Sequence, residues 1–181
     1  MCIRDRFTIT NTKKASIEKI ALDKNGNPLQ SNELLYKDLQ KTTYNGTEYY
    51  VFGWQINLPK RDATITDTIS EDSVLLEGYD LGETTTWGDS LKYPCIYTDY
   101  GSSWTLENNN YTYSGNTIEF KVYNNQTKLV YYTGIPVSTF DNSYNESKSY
   151  RVDNTVIYDG DSQTVSVNVV EKTIGGPDIS D

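Results

Sequence analysis

Three polar side chains occupy positions where the sequence otherwise places apolar ones. Lys19, Asp67 and Asn154 each have an apolar residue two positions before and two positions after them. Residues two apart in a strand share one face of the sheet, so each of the three is expected to point the same way as its apolar neighbours. The flanking pairs are Ile17 and Ala21, Ile65 and Ile69, and Val152 and Val156.

If those faces point inward, an amine, a carboxyl group and an amide meet in a core. Burying any one of these groups alone costs several kcal/mol, whereas a group of three that meet can react. Desolvation favours a neutral Lys19 amine and a protonated Asp67. The amine can then attack the side-chain carbonyl of Asn154, while Asp67 stabilises the oxyanion and shuttles protons. Ammonia leaves, and an amide bond joins Lys19 to Asn154.

Two alternatives to this assignment remain open at the sequence level. Lys19 and Asp67 can form an ordinary salt bridge, with Asn154 capping a loop and no covalent bond. Lys37 also has an alternating apolar frame, between Leu35 and Leu39, and is a rival donor. We favour Lys19 because its segment begins the domain directly after a polar linker, where the first strand belongs.

The composition limits the classes of function that this chain can have. The 181 residues carry a formal charge of −9 with a pI near 4.5, which disfavours binding to nucleic acid or to anionic lipid. With no His and two Cys, the chain lacks the residues for zinc sites and His-based triads, and we expect no metal and no cofactor. The sequence contains no run of about 20 apolar residues, so it predicts no transmembrane helix.

The predicted elements are strands. The 16 tyrosines and the period-two alternation suit half-buried pleated surfaces, and turn residues separate about eight or nine alternating segments, which predicts an all-β sandwich. The segments from 78 to 116 and from 29 to 49 are irregular. The clearest expected strands are 15–22, 50–58, 62–69, 74–76, 117–123, 129–137 (interrupted at 134–136), 150–158 and 163–170.

The domain boundaries are predicted from the two ends of the chain. Residues 1–6, which include Cys2, resemble the translation of a sequencing-library adapter, so Cys95 is the one cysteine left and no internal disulfide is expected. Residues 7–12 read as the tail of a preceding domain. Residues 13–172 are expected to form one domain, and 173–181 a Gly/Pro linker to a following one.

Four segments together resemble the A-type domains of collagen-binding adhesins and pilins of Gram-positive bacteria. They are Trp54–Leu58, Ala63–Ile69, Leu129–Ile135 and Val152–Val156, in that order along the chain. The resemblance implies an immunoglobulin-like fold with an internal Lys–Asn isopeptide bond assisted by an acid.

In that family the lysine comes first, the acid second and the asparagine last, and Lys19, Asp67 and Asn154 keep this order. The family's lysine often lies closer to the Trp-bearing strand than Lys19 does. The resemblance therefore implies roles for the three residues but leaves the choice between Lys19 and Lys37 open.

The resemblance also implies a role and a cellular location for the domain. It predicts a structural or adhesive module that is extracellular and attached to a cell wall through regions outside this fragment, next to other domains of the same chain. A host protein or a glycan is the expected kind of ligand. The chemistry is single-turnover and intramolecular, so we expect no enzyme activity toward external substrates.

An aromatic-rich region predicts a second kind of function. Trp87, Tyr97, Tyr100 and Trp104, with Tyr93 among them, are candidates for stacking on sugar rings or contacting a protein partner. Alternatively, these side chains cover one end of the sandwich. A glycan-active enzyme is a third hypothesis, but it needs a pair of exposed carboxylates that the sequence does not assign.

Overall fold

The computed structural model describes residues 17–171. Three predicted segments lie outside these residues: the adapter sequence with Cys2 (1–6), the tail of a preceding domain (7–12) and the C-terminal linker (173–181).

The described chain contains fifteen strands, one α-helix and one short 3₁₀ helix at Tyr36–Asp38. The strands of the first half are β1 (Glu18–Leu22), β2 (Glu33–Leu35), β3 (Gln40–Tyr44), β4 (Thr47–Asn57), β5 (Ala63–Ile69), β6 (Val74–Leu75), β7 (Tyr79–Thr84) and β8 (Ser90–Tyr93). Those of the second half are β9 (Cys95–Thr98), β10 (Ser103–Thr105), β11 (Tyr111–Ser114), β12 (Thr117–Val122), β13 (Gln126–Pro136), β14 (Ser149–Tyr158) and β15 (Asp161–Val170), with α1 (Val137–Ser147) between β13 and β14.

Two sheets pack face to face. The first has the order β1-β4-β13-β9-β10, with β3 also pairing with β4 and β6 with β13. The second has the order β11-β12-β5-β14-β15-β2, in which β2 pairs with β15 in parallel. Alternate residues of each sheet point inward to one shared core, where the Phe120 and Tyr131 rings meet with centroids 5.5 Å apart.

The first sheet is covered on its outer face as well. A separate hairpin of β7 and β8 lies outside it and contributes Leu91 and Tyr93 to a second buried cluster with Val51 and Tyr132. Strands β4 and β13 therefore bury side chains on both of their faces, which explains their nearly continuous apolar sequence.

The helix α1 closes one end of the sandwich. Phe140 and Tyr144 are its buried residues, and their rings stack on Tyr150 and Tyr36, each with centroids 4.2 Å apart. The helix is capped at Lys148, which has a left-handed backbone conformation and whose N–H donates to the Tyr144 carbonyl.

The predicted fold class is confirmed, because the described chain is an all-β, immunoglobulin-like sandwich. The strand count exceeds the expected eight or nine because the irregular segments 29–49 and 78–116 form short strands of three to six residues. The helix α1 was not predicted. Within residues 17–171, no helix is long and apolar enough to span a membrane.

Candidate functional site

Strands of both sheets bring the three polar residues to one place between the layers. Lys19 is on the inner face of β1, opposite Ile56 of β4. Asp67 on β5 and Asn154 on β14 lie on adjacent strands, and the pairing of Asp67 with Val156 places Asn154 one diagonal step away. The site therefore joins the edge strand of the first sheet to the middle of the second.

All three side chains are removed from solvent. The exposed fractions are 3% for Lys19, 0% for Asp67 and 1% for Asn154. Lys19 Nζ lies 2.6 Å from Asp67 Oδ2 and 5.4 Å from the centre of the Trp54 ring. The amine and the carboxyl group are thus in direct contact in a dry, aromatic-walled pocket, where a proton can move between them.

A fourth residue, Tyr131 on β13, completes the site. Its Oη accepts a hydrogen bond from Lys19 Nζ at 2.5 Å and another from Asn154 Nδ2 at 3.0 Å. One phenol oxygen therefore lies between the two nitrogens. Sequence reasoning missed Tyr131 because a tyrosine on an apolar strand face is expected in any core, and only the sheet pairing shows which hydroxyl meets Lys19.

Two buried oxygens of the site lack a donor. Asp67 Oδ1 and Asn154 Oδ1 have no hydrogen-bond partner, although both are inaccessible to water. Such atoms are rare in folded proteins, and each one costs about 1–3 kcal/mol. Both atoms are acceptors when Asp67 is ionised, so neither can supply the donor that the other lacks.

Burial changes the ionisation of the site. It lowers the pKa of Lys19 from its ordinary 10.5, and this effect outweighs the opposing charge and hydrogen bond of Asp67. Burial also raises the pKa of Tyr131 well above 10, so its hydroxyl keeps its proton. The pocket therefore makes Lys19 easier to deprotonate than a lysine in water and keeps the phenol of Tyr131 protonated.

The strand that carries Lys19 is also held from the other side. The Lys19 backbone N–H donates to Gln163 Oε1 of β15 at 2.8 Å. This contact ties β1 to the second sheet next to the site. Lys19 is thus held by its backbone as well as by its side chain.

The rival donor Lys37 is far from such an environment. It lies in the 3₁₀ helix, its side chain is 73% exposed, and its nearest acid is Asp38 at 3.8 Å. The structure brings Lys19, and not Lys37, to Asp67 and Asn154.

The aromatic candidates separate into two pairs. Trp87 and Tyr100 are 82% and 78% exposed, and they lie on neighbouring turns that are joined by a hydrogen bond from Thr86 Oγ1 to the Gly101 carbonyl. Tyr97 and Trp104 are half-buried and pack against the two apolar clusters. Tyr93, by contrast, is buried.

Cys95 offers no reactive thiol. It is fully buried in the second cluster, and burial raises its pKa to about 12. It is the one cysteine among the described residues and packs there as a small apolar side chain.

No protein-family model matches this chain, and no curated protein matches it. Among solved structures, it is similar to the N-terminal domain of the Streptococcus gordonii adhesin Sgo0707, with a TM-score of 0.45 and 12% identity over 87% of this chain and 33% of that one. It is also similar to a DUF4466 family protein from Parabacteroides merdae, with a TM-score of 0.38 and 13% identity over 88% of this chain and 46% of that one.

A third similar structure is the full-length major pilin SpaD from Corynebacterium diphtheriae. Its TM-score is 0.37, with 9% identity over 85% of this chain and 34% of that one. The chain thus spans between a third and a half of the length of these three structures.

Proposed function

We propose that this domain is a load-bearing module of an extracellular adhesive protein or pilus, braced by a self-formed amide bond between Lys19 Nζ and Asn154 Cγ. The observation that carries the proposal is the burial of Lys19, Asp67 and Asn154 in one pocket, with both reacting nitrogens on the Tyr131 hydroxyl. The motifs shared with A-type adhesin and pilin domains support the setting.

The energetics of the pocket favour reaction over a resting salt bridge. A buried ion pair rarely recovers the cost of desolvating both charges, and this one leaves two acceptor oxygens unpaired. Transfer of one proton from Lys19 to Asp67 removes both charges. The protonated Asp67 can then donate from Oδ1 toward Asn154 Oδ1, which pairs the two oxygens that lack partners.

The reaction proceeds from that neutral state. The lone pair of Lys19 Nζ attacks Asn154 Cγ, and Asp67 stabilises the oxyanion that forms on Oδ1. The tetrahedral carbon then expels Nδ2, which leaves as ammonia after gaining one proton. The amine loses one proton in exchange, so the products are one secondary amide and one ammonia, and no oxidant or cofactor is needed.

The bond would stabilise a protein that has no disulfide among its described residues. It closes a loop of about 135 residues between positions 19 and 154. Treated like a disulfide of that span, the cross-link stabilises the fold by roughly 5 kcal/mol. Unlike a disulfide, an amide resists reduction, which suits a surface module that works outside the cell.

Intact-mass measurement of the purified protein tests the bond. We expect a deficit of one ammonia relative to the sequence, because the reaction releases one. Lys19→Met should abolish the deficit, and the matched variant Lys37→Met should retain it. A native mass equal to that of the plain sequence would falsify the proposal, and loss of the deficit in Lys37→Met alone would assign the donor to Lys37.

A second candidate function, ligand binding, is favoured by Trp87 and Tyr100. Two large aromatic side chains exposed on adjoining turns can stack on the faces of sugar rings. Trp87→Ala and Tyr100→Ala should each weaken glycan binding on an array, whereas Tyr123→Ala, which removes an exposed aromatic on another segment, should not. An array without any binder counts against this function and leaves the cross-linked module unaffected.

A further inference from the structure

The position of Tyr131 gives its hydroxyl access to both nitrogens that exchange protons in the proposed reaction. Oη lies 2.5 Å from Lys19 Nζ and 3.0 Å from Asn154 Nδ2. Asp67 contacts the attacking nitrogen through Oδ2 at 2.6 Å. Among the hydrogen bonds of the described residues, Asn154 Nδ2 contacts Tyr131 and does not contact Asp67.

We propose that the Tyr131 hydroxyl is a catalytic proton relay that passes a proton from the attacking nitrogen to the leaving nitrogen. This inference rests on the proposed function, since it concerns the same bond. As the Nζ–Cγ bond forms, Nζ gives a proton to Oη, and Oη gives its own proton to Nδ2. The Cγ–Nδ2 bond breaks, ammonia leaves, and Tyr131 is regenerated unchanged.

The change in geometry at Asn154 explains why the relay runs in this direction. In the planar amide the Nδ2 lone pair is delocalised, so Nδ2 donates to Oη in the resting state. Attack makes Cγ tetrahedral and returns the lone pair to Nδ2, which can then accept a proton from the hydroxyl. Without such an acid the leaving group is an amide anion, which is far too basic to depart.

The environment keeps the relay in its working form. Tyr131 is 0% exposed, and burial raises its pKa, so the phenol carries the proton that it has to donate. Its ring is fixed by contact with Phe120. A hydroxyl held in this way shifts protons without moving the ring.

Tyr131→Phe tests the relay, because it removes the hydroxyl and keeps the ring. The appearance of the cross-linked mass is followed over time during cell-free synthesis of the full chain. Removal of a general acid–base group costs about 10²–10⁴-fold in rate, so the variant should accumulate without loss of ammonia. The matched control is Tyr132→Phe on the same strand, whose ring lies in the outer cluster, and it should react like the native chain.

A variant that cannot form the cross-link distinguishes a purely structural role of the Tyr131 hydroxyl from a catalytic one. In Asn154→Ala, adding Tyr131→Phe should shift the thermal unfolding midpoint by only a few degrees, as expected for loss of about one hydrogen bond. If Tyr131→Phe does not fold, 3,5-difluorotyrosine at position 131 replaces it, since it keeps the hydroxyl but makes it more acidic. It should speed ammonia loss, and an equal or slower rate overturns the relay.

The outcomes distinguish the relay from the bond itself. A native chain that loses ammonia while Tyr131→Phe loses it equally fast overturns the relay and leaves the cross-link standing. A native chain that never loses ammonia overturns both. Slow reaction confined to Tyr131→Phe, with a normal Tyr132→Phe, supports the relay.

Discussion

At the scale of single residues, the site is governed by competition between desolvation and charge pairing at Lys19. Burial disfavours the ammonium, while Asp67 at 2.6 Å favours it, and the first effect is the larger. In the proposed reaction the amine passes its proton to Asp67, which leaves the net charge of the pair unchanged. Burial therefore moves Lys19 toward the neutral form that the proposed reaction needs.

Removing the carboxylate should make this competition visible in the pH dependence of stability. In Asp67→Asn, Lys19 has lost the partner that raised its pKa, so its folded-state pKa falls further below 10.5. Between that value and 10.5 the unfolded chain binds more protons than the folded one, and stability therefore rises with pH. The slope approaches about 1.4 kcal/mol per pH unit.

Denaturant unfolding of Asp67→Asn between about pH 6 and 9 measures this slope, after mass measurement has established that Lys19 is free. The upper limit avoids the range near pH 10 in which tyrosines of the unfolded chain ionise. The control is Lys19→Met combined with Asp67→Asn, which lacks the titrating amine. Parallel curves for the two variants would contradict a lowered pKa at Lys19.

At the scale of elements, alternation in the sequence predicts the strands that have one wet face. The inward set of β12, Ile118, Phe120 and Val122, is buried and alternates with exposed residues, as the period-two pattern predicts. The same pattern places Lys19, Asp67 and Asn154 on inner faces. This is possible because a strand fixes the direction of each side chain by sequence position alone.

Alternation fails where both faces of a strand are covered. In β13 seven consecutive residues from Leu129 to Ile135 are buried, and the predicted interruption at 134–136 does not occur, since the strand continues to Pro136. The covering hairpin of β7 and β8 comes from the segment that the sequence leaves irregular. Sequence position alone cannot reveal that a hairpin lies over a second face.

Gly53 shows the close packing that such two-sided burial requires. A Cβ at this position would lie 2.7 Å from Tyr132 Cε2 and 3.1 Å from Leu22 Cβ. The glycine is therefore needed for space rather than for a special backbone conformation. Nothing in the local sequence indicates this, because the contacts come from two other strands.

The helix α1 was missed because its composition is poor in helix formers. Its sequence is rich in Ser, Thr and Asn, which compete for backbone hydrogen bonds. The one available signal is the spacing of Val137, Phe140 and Tyr144, which is typical of a single helical face. The helix is stabilised by packing on Tyr36 and Tyr150 rather than by the helix propensity of its residues.

At the scale of the whole molecule, the site determines which part of the chain a covalent bond would protect. A bond between the first and last strands would shield the entire domain from a pulling force. Asn154, however, lies in β14, and the structure places β15 after it. Strand β15 is held by hydrogen bonds to β14 and β2, so it remains outside the covalent loop.

Single-molecule stretching of the chain through its two ends tests this division. In the cross-linked protein force passes from Lys19 directly to Asn154, and within the described residues only the segment after 154, about 17 residues, can extend. At about 3.3–3.6 Å per residue this releases roughly 60 Å of contour length. In Asn154→Ala nothing interrupts the chain, and unfolding should release on the order of 500 Å.

Lys37→Met provides the matched control, because it alters an exposed lysine and should retain the short extension. Release of about 500 Å by the native chain would show that no covalent bond bears the load. A short extension in both the native chain and Asn154→Ala would place the restraint elsewhere. A short native extension that lengthens only when position 19 or 154 is changed identifies Lys19–Asn154 as the bond that carries force past the sandwich core.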